Sequence, residues 1–151
     1  MIFRMRLHPW ALVPTVLYVG FIGWMTLRPS VYGAGTAGLL WELLGKFQQH
    51  SSTSWLTFDA VEGLANVAMF IPLGFFLALF FPRRLFLVSA LLCVLGSVGI
   101  ELFQQFFLPG RVADIRDVIH NSTGGLIGAT VAVLGRLLFV PRRSGRRLRT
   151  V

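Results

Sequence analysis

The chain of 151 residues is 55% hydrophobic and only 13% charged, and its 14 basic against 6 acidic side chains give a formal net charge of +8. That composition leaves too little polar surface to cover a water-soluble globule of this size, and the single cysteine excludes a disulfide framework. We therefore expect one membrane-embedded domain over residues 1–151.

Four apolar runs predict four transmembrane helices, because a hydrocarbon core of about 30 Å requires roughly 20 helical residues to cross it. Each span must be helical, since no backbone polar group can stay unpaired in lipid. The predicted spans cover residues 10–27, 61–81, 85–107 and 117–140. The sequence thus predicts an all-α, four-helix transmembrane bundle whose first two spans are joined by a longer polar segment.

That polar segment contains AGLLWELLGKFQQH, in which apolar residues recur at helical spacing opposite Glu42 and Lys46. The residues that share the apolar face are Leu39, Leu40, Leu43, Leu44 and Phe47. This pattern predicts an amphipathic helix that lies at the membrane interface in the first extracytoplasmic loop. Two roles fit it equally well: a packing helix that closes the bundle, or a lid over a substrate site.

The charges separate cleanly between the two predicted ends of the bundle. One end holds ten basic residues and no acid, namely Arg4, Arg6, Arg83, Arg84, Arg136, Arg142, Arg143, Arg146, Arg147 and Arg149. Because basic flanking segments stay in the cytoplasm during insertion, both termini are predicted to be cytoplasmic, in a multi-pass protein of the cytoplasmic membrane. The basic tail 141–151 suits anionic lipid and lacks the motifs of a nucleic-acid site, so no nucleic-acid partner is expected.

The most polar stretch of the chain is ELFQQFFLPGRVADIRDVIHNSTGG, from Glu101 to Gly125. Glu101 falls about 9 Å inside the predicted third span at 1.5 Å per residue, and Asn66 and Asn121 fall at similar depths in the second and fourth. An ionisable group in hydrocarbon normally faces a partner or water. We therefore expect these three helices to converge on a polar pocket open to the outside.

The residue types in this stretch, together with Asn66 of the second span, indicate candidate roles. Three carboxylates, Glu101, Asp114 and Asp117, are candidate catalytic residues for general acid/base work. The candidate substrate-binding residues are Asn66, Gln104, Arg111, Arg116 and Asn121. The two arginines in that set suit a phosphate group.

A divalent cation such as Mg²⁺ or Ca²⁺ is the candidate cofactor, with Glu101, Asp114 and Asp117 as its oxygen ligands. Zinc is not expected, because tetrahedral zinc sites need clustered His or Cys. Structural alternatives also stay open. Glu101 can pair with Arg111 or Arg116 to fix the helices, and the two aspartates can serve as a helix cap.

The same residues carry a resemblance to a known family. The pattern N-x-x-x-F-x-P-x-G runs from Asn66 to Gly74, and E-x-x-Q begins at Glu101. The pattern P-G-R-x-x-D-x-x-D-x-x-x-N-x-x-G-x-x-x-G then runs from Pro109 to Gly128. Together these motifs resemble the VanZ-like family of small bacterial integral membrane proteins.

The resemblance implies a bacterial cell-envelope protein whose founding relative is associated with low-level resistance to teicoplanin, a lipid-tailed glycopeptide that acts on peptidoglycan precursors outside the cell. It implies that the outward pocket binds or acts on an amphiphilic or lipid-linked envelope molecule, such as a lipid-linked precursor or a lipoglycopeptide. The alternative is a non-enzymatic component, a small transporter or envelope-modulating subunit, whose buried polar residues are structural. Neither reading fixes a reaction or an oligomeric state.

Overall fold

The computed structural model describes residues 9–28 and 34–139, and every regular element within those ranges is helical. The helices are α1 (Pro9–Thr26), α2 (Ala34–Gln48), α3 (Phe58–Ala78), α4 (Phe86–Phe107) and α5 (Ile115–Phe139), and a 3-10 turn at Arg83–Leu85 precedes α4. The all-α prediction is confirmed for the described residues. The N-terminal arginines, the basic tail 141–151 and the last residue of the predicted fourth span lie outside them.

Three helical segments are long and apolar enough to cross a membrane: Phe58–Ala78, Arg83–Phe107 and Ile115–Leu138. They match the second, third and fourth predicted spans to within three residues at each described end. The first predicted span is also an apolar helix, but its segment Trp10–Thr26 falls short of the length of the other three. The described part of the chain therefore has three helices that could span a membrane by length and composition, and a shorter apolar helix, α1.

Local capping explains why two helices begin earlier than hydropathy predicts. The hydroxyl of Thr57 accepts the backbone N–H of Ala60 at 3.2 Å, so α3 begins at Phe58. The carboxylate of Asp114 accepts the backbone N–H of Arg116 at 2.8 Å, so α5 begins at Ile115. Because polar caps add nothing to mean hydropathy, a window average misses the first turn of each helix.

Helices α3 and α5 form the most extensive contact in the bundle, and small residues make that contact possible. A Cβ at Gly124 or Gly128 would overlap the backbone carbonyl of Val67 or Ile71 in α3. Gly125 faces α4 instead, where a Cβ would lie 2.5 Å from the Cβ of Cys93. Close approach at glycine and other small residues is the usual way in which membrane helices pack against each other.

Two apolar clusters fix the remaining helices. The first consists of Ala11, Ala78, Leu79, Ala129 and Ala132, and the second of Ile22, Phe70, Leu73 and Cys93. Each cluster includes one residue of α1, so α1 packs along the bundle on the α3 side. Many other large apolar side chains point outward, as expected for helices that face lipid.

Arginines close the end of the bundle where α3 and α5 finish. The guanidinium of Arg136 donates to the backbone carbonyls of Ala78 and Phe81, at 2.8 Å each, and Arg83 donates to the carbonyl of Arg136. A cation at the C-terminal end of a helix satisfies unpaired carbonyls and complements the helix dipole. The acidic residues of the described chain lie toward the other end.

The amphipathic segment forms helix α2, with Leu44 buried and Leu39, Leu43 and Phe47 exposed. On its polar side Lys46 pairs with Glu42 at 2.8 Å. The ring of Trp41 stacks on Phe58 with centroids 5.0 Å apart, which ties α2 to the start of α3. Its location at the membrane interface stays a prediction, as do both of its proposed roles.

Candidate functional site

A cavity of about 240 Å³ lies between α1, α3, α4 and α5, toward the end of the bundle where α3 and α5 begin. Its lining includes six of the eight predicted site residues, namely Asn66, Glu101, Gln104, Arg111, Asp117 and Asn121. The lining also includes the apolar residues Phe21, Met25, Met69 and Ile100. Charged and apolar side chains therefore face the same space.

Glu101 is almost fully buried, at 5% exposure, and lies in the second-last turn of α4. Its Oε2 accepts the backbone N–H of Asp114 at 2.8 Å, which ties the α4–α5 loop to the wall of the cavity. Neither Arg111 nor Arg116 forms an ion pair with Glu101. The carboxylate is thus held by a backbone amide, and the arginine pairing considered as a structural alternative is not formed.

Asp117 and Asn66 join α5 to α3 at the mouth of the cavity. The Nδ2 of Asn66 donates to Oδ1 of Asp117 at 2.9 Å. Asp117 lies in the first turn of α5, where the positive end of the helix dipole favours a carboxylate. The bond fixes the rotamer of the carboxylate and leaves it on the cavity wall.

Two further bonds attach α1 to the site. Buried Gln104 donates through Nε2 to the backbone carbonyl of Thr26 at 2.8 Å, which satisfies a carbonyl at the end of α1. The hydroxyl of Tyr18 donates to the carbonyl of Met69 at 2.8 Å. Helix α1 therefore supplies one wall of the cavity and is held there by polar contacts as well as by packing.

Asn121 is the deepest polar residue of the site and is only 3% exposed. Its Nδ2 donates to Oγ of Ser97 at 2.8 Å, whereas its Oδ1 has no hydrogen-bond partner among the described residues. Leaving one buried polar atom unpaired costs about 1–3 kcal/mol. The side-chain amide of Asn121 is thus hydrogen-bonded through its nitrogen, while its oxygen lacks a partner among the described residues.

The remaining two predicted residues, Asp114 and Arg116, do not line the cavity. Asp114 caps α5, and its Oδ2 pairs with the guanidinium of Arg116 at 3.0 Å, while that guanidinium also reaches Asp59 at 3.7 Å. Hydrogen bonds from the backbone and side chain of Arg116 hold the pKa of Asp114 below its ordinary value. Asp114 and Arg116 border a separate depression of about 50 Å³, whose lining also includes Glu62 and His120.

The predicted divalent-cation ligands do not assemble. Among the residues that the structure describes, no three His, Cys, Asp or Glu side chains are grouped as a metal site requires. Asp114 is committed to Arg116, and Glu101 accepts a backbone amide. The set Glu101, Asp114 and Asp117 therefore does not fit a metal ion in this arrangement.

The sequence did not predict Tyr18 and Thr26 as parts of this site, and Glu62 was not selected as a candidate site residue. The sequence does carry a signal for Glu62, which precedes Asn66 by one helical turn and so shares the face expected to turn inward. Tyr18 and Thr26 had none, because nothing in the apolar first span indicates which of its faces meets the other helices. The contribution of α1 is visible only in the tertiary structure.

Comparison with known proteins gives two findings. The family model described as VanZ/LLP1 matches residues 15–139. Protein VanZ of Enterococcus faecium is 35% identical over 95 residues, an alignment that covers 60% of this chain and 58% of that relative. The aligned part of the chain thus spans less than two thirds of the relative's length.

No solved structure matches the chain. The family match extends from the middle of α1 to the end of α5 and so includes every residue that lines the cavity. It also agrees with the three helices that are long and apolar enough to cross a membrane. The chain therefore belongs to the VanZ-like family of membrane proteins.

Proposed function

We propose that the cavity binds an amphiphilic or lipid-linked molecule of the bacterial cell envelope. The observation that carries this proposal is that one cavity is lined both by charged side chains, among them Glu101, Arg111 and Asp117, and by apolar ones such as Met25 and Ile100. Ligand sites are typically apolar with a few placed polar groups that orient the ligand. An amphiphile is the class of molecule that carries both a polar and an apolar part for such a mixed lining.

The biological consequence that we propose is lower susceptibility to lipoglycopeptides such as teicoplanin, as associated with the founding member of the family. A protein that binds a lipid-linked envelope molecule, or the lipid-tailed antibiotic itself, changes what the antibiotic meets at the membrane surface. Glu101 and Asp117 are the proposed catalytic or ligand-binding carboxylates. Asn66, Gln104, Arg111 and Asn121 complete the binding site, and Asp114 with Arg116 forms its rim.

Susceptibility testing of a teicoplanin-sensitive bacterium that expresses the chain tests this function. We expect the wild type to raise the minimal inhibitory concentration over an empty vector, and Glu101→Ala and Asp117→Ala to remove the increase. Glu42→Gln is the matched control, because Glu42 is an exposed carboxylate of α2 outside the cavity. Alanine variants that insert normally and keep full resistance would refute the proposal.

The second candidate function is a non-enzymatic membrane component whose polar residues are structural. The observation that favours it is that polar residues of the cavity are engaged within the protein itself by three hydrogen bonds, Asn66–Asp117, Gln104–Thr26 and Asn121–Ser97. The variants Glu101→Gln and Asp117→Asn distinguish the two functions, since they keep hydrogen bonding but remove the charge. Full resistance in these variants, with loss in the alanine variants, assigns the carboxylates a structural role.

We further propose that the cavity opens toward the outside of the bacterial cytoplasmic membrane. The charge separation supports this orientation, because the arginine-rich end carries Arg83, Arg84 and Arg136 and the cavity end carries the acids. A cysteine at position 112, where Val112 is 81% exposed, reports the side directly in a Cys93→Ala background. An impermeant maleimide should label it in intact cells, and labelling only after permeabilisation would reverse the orientation.

A further inference from the structure

Two side chains of opposite charge face the cavity without any partner in the described chain. Glu62 of α3 and Arg111 of the α4–α5 loop both line it, and neither makes a side-chain hydrogen bond or an ion pair with another described residue. By contrast Glu101 and Asp117 each accept one hydrogen bond from the protein. The uncommitted charges of the site are therefore one carboxylate and one guanidinium.

Glu62 and Arg111 belong to one electrostatic environment although they are not paired with each other. Glu62 interacts electrostatically with Arg111 and with Asp117, and Arg111 also interacts with Glu101. Three carboxyl groups against a single guanidinium make the lining acidic. A ligand that brings both an ammonium and an anion can satisfy Glu62 and Arg111 at once, which a purely anionic ligand cannot do.

Asn121 adds an independent observation. It lines the cavity and is only 3% exposed, and its side-chain oxygen Oδ1 has no hydrogen-bond partner among the described residues. The unmet hydrogen bond costs free energy on burial, and a donor that reaches this side-chain oxygen would recover it. The apolar wall of Phe21, Met25 and Met69 then faces what remains of the ligand.

We infer that the cavity is selective for amphiphiles with a zwitterionic head, with the ammonium at Glu62, the anionic group at Arg111 and the hydrocarbon against the α1 wall. This inference rests on the proposed function and specifies its ligand class. It assigns Glu62 the role of selecting the cationic part of the head, and it assigns Arg111 the role of holding the anion common to zwitterionic and anionic amphiphiles.

Native mass spectrometry of the purified full chain, titrated with two lysolipids of identical acyl chain, tests the inference. One probe has a phosphoethanolamine head and the other a phosphoglycerol head, so only the ammonium differs in charge. We expect the wild type to bind the phosphoethanolamine probe about tenfold more tightly, the equivalent of one charge-assisted hydrogen bond. Glu62→Gln should bring the two affinities within about twofold, a small change on that scale.

Two further variants and a control keep the outcome interpretable. Arg111→Gln should weaken both probes by a similar factor, since both carry a phosphate. Ala65→Phe should abolish saturable binding of both, because Ala65 is an exposed residue on the cavity wall and the larger ring fills the space. Glu42→Gln should bind like the wild type, and thermal unfolding midpoints confirm that each variant is folded.

The possible failures separate the inference from the proposed function. Equal binding of both probes by the wild type, still abolished by Ala65→Phe, would overturn zwitterion selection and leave the amphiphile site standing. Preference for phosphoethanolamine that persists in Glu62→Gln would overturn the role of Glu62. Binding that Ala65→Phe leaves unchanged would refute both the inference and the proposed cavity.

Discussion

The contact between α3 and α5 leads to the sharpest stability prediction. Gly128 lies so close to α3 that a Cβ would overlap the backbone carbonyl of Ile71 and would also come within 2.8 Å of the backbone nitrogen of Phe75. A clash with backbone cannot be relieved by a change of rotamer, so Gly128→Ala must push the two helices apart.

The expected loss of folding free energy depends on which atoms the new Cβ would overlap. Overpacking a well-fitted interior costs about 1–3 kcal/mol, and we place Gly128→Ala at about 3 kcal/mol because backbone atoms on both sides resist movement. That corresponds to roughly a 150-fold fall in the folding equilibrium constant. Separation of the helices should also lengthen the Asn66–Asp117 bond, now 2.9 Å, and so reduce binding of the phosphoethanolamine probe.

Gly135→Ala is the matched control on the same helix, since a Cβ at Gly135 meets no atom within 4 Å. Alanine is favoured over glycine inside a helix by up to about 1 kcal/mol, so this variant should be neutral or more stable. Reversible unfolding of both variants in bicelles measures the difference. If Gly128→Ala is as stable as Gly135→Ala, the close approach of α3 and α5 is refuted.

Three further changes should have measurable effects. Asn66→Asp replaces the donor to Asp117 by a second acceptor and should destabilise the protein by about 1–3 kcal/mol in the same unfolding assay, whereas unchanged stability would contradict the α3–α5 bond. Arg136→Gln should cost a similar amount, about 1–3 kcal/mol, by leaving carbonyls at the end of α3 unpaired, and a neutral result would show that they are satisfied otherwise. Because the pKa of Asp114 is below its ordinary value of 3.8, its ionised form stabilises the fold above that pH and the effect is lost as pH falls through the lowered pKa. The unfolding midpoint of Asp114→Asn should therefore lie below that of the wild type near neutral pH and approach it in acid, and a gap that is constant with pH would argue against the charge effect.

The sequence predicted the helices themselves well because hydropathy and helical periodicity are local properties. Long apolar runs predicted, to within three residues, the three helices that are long and apolar enough to span a membrane, and the leucine spacing predicted α2. Two errors lie at helix starts, where Thr57 and Asp114 extend α3 and α5 through single hydrogen bonds, and a third lies at the end of α3, which stops at Ala78. Such a cap depends on one side-chain rotamer, which composition does not specify.

For the site, the sequence identified which polar residues lie at one level but not how each is engaged. Helix spacing grouped Asn66, Glu101, Asp117 and Asn121, because depth and face follow from residue count, and all four line one cavity of the folded chain. The sequence also predicted Asp114 and Arg116 as site residues, although these two side chains pair with each other outside the cavity. Choosing between two nearby partners depends on distances of an ångström or two, which only the folded chain sets.

The sequence by itself therefore determined that this is an all-helical membrane protein of the VanZ-like type with its acids toward one end. The tertiary structure decided that α1 closes the cavity through Tyr18 and Thr26, and that Glu62 and Arg111 remain uncommitted within it. The physical reason is that apolarity and periodicity are written along each helix, whereas the rotation of one helix against another is set by close packing at a few small residues such as Gly128.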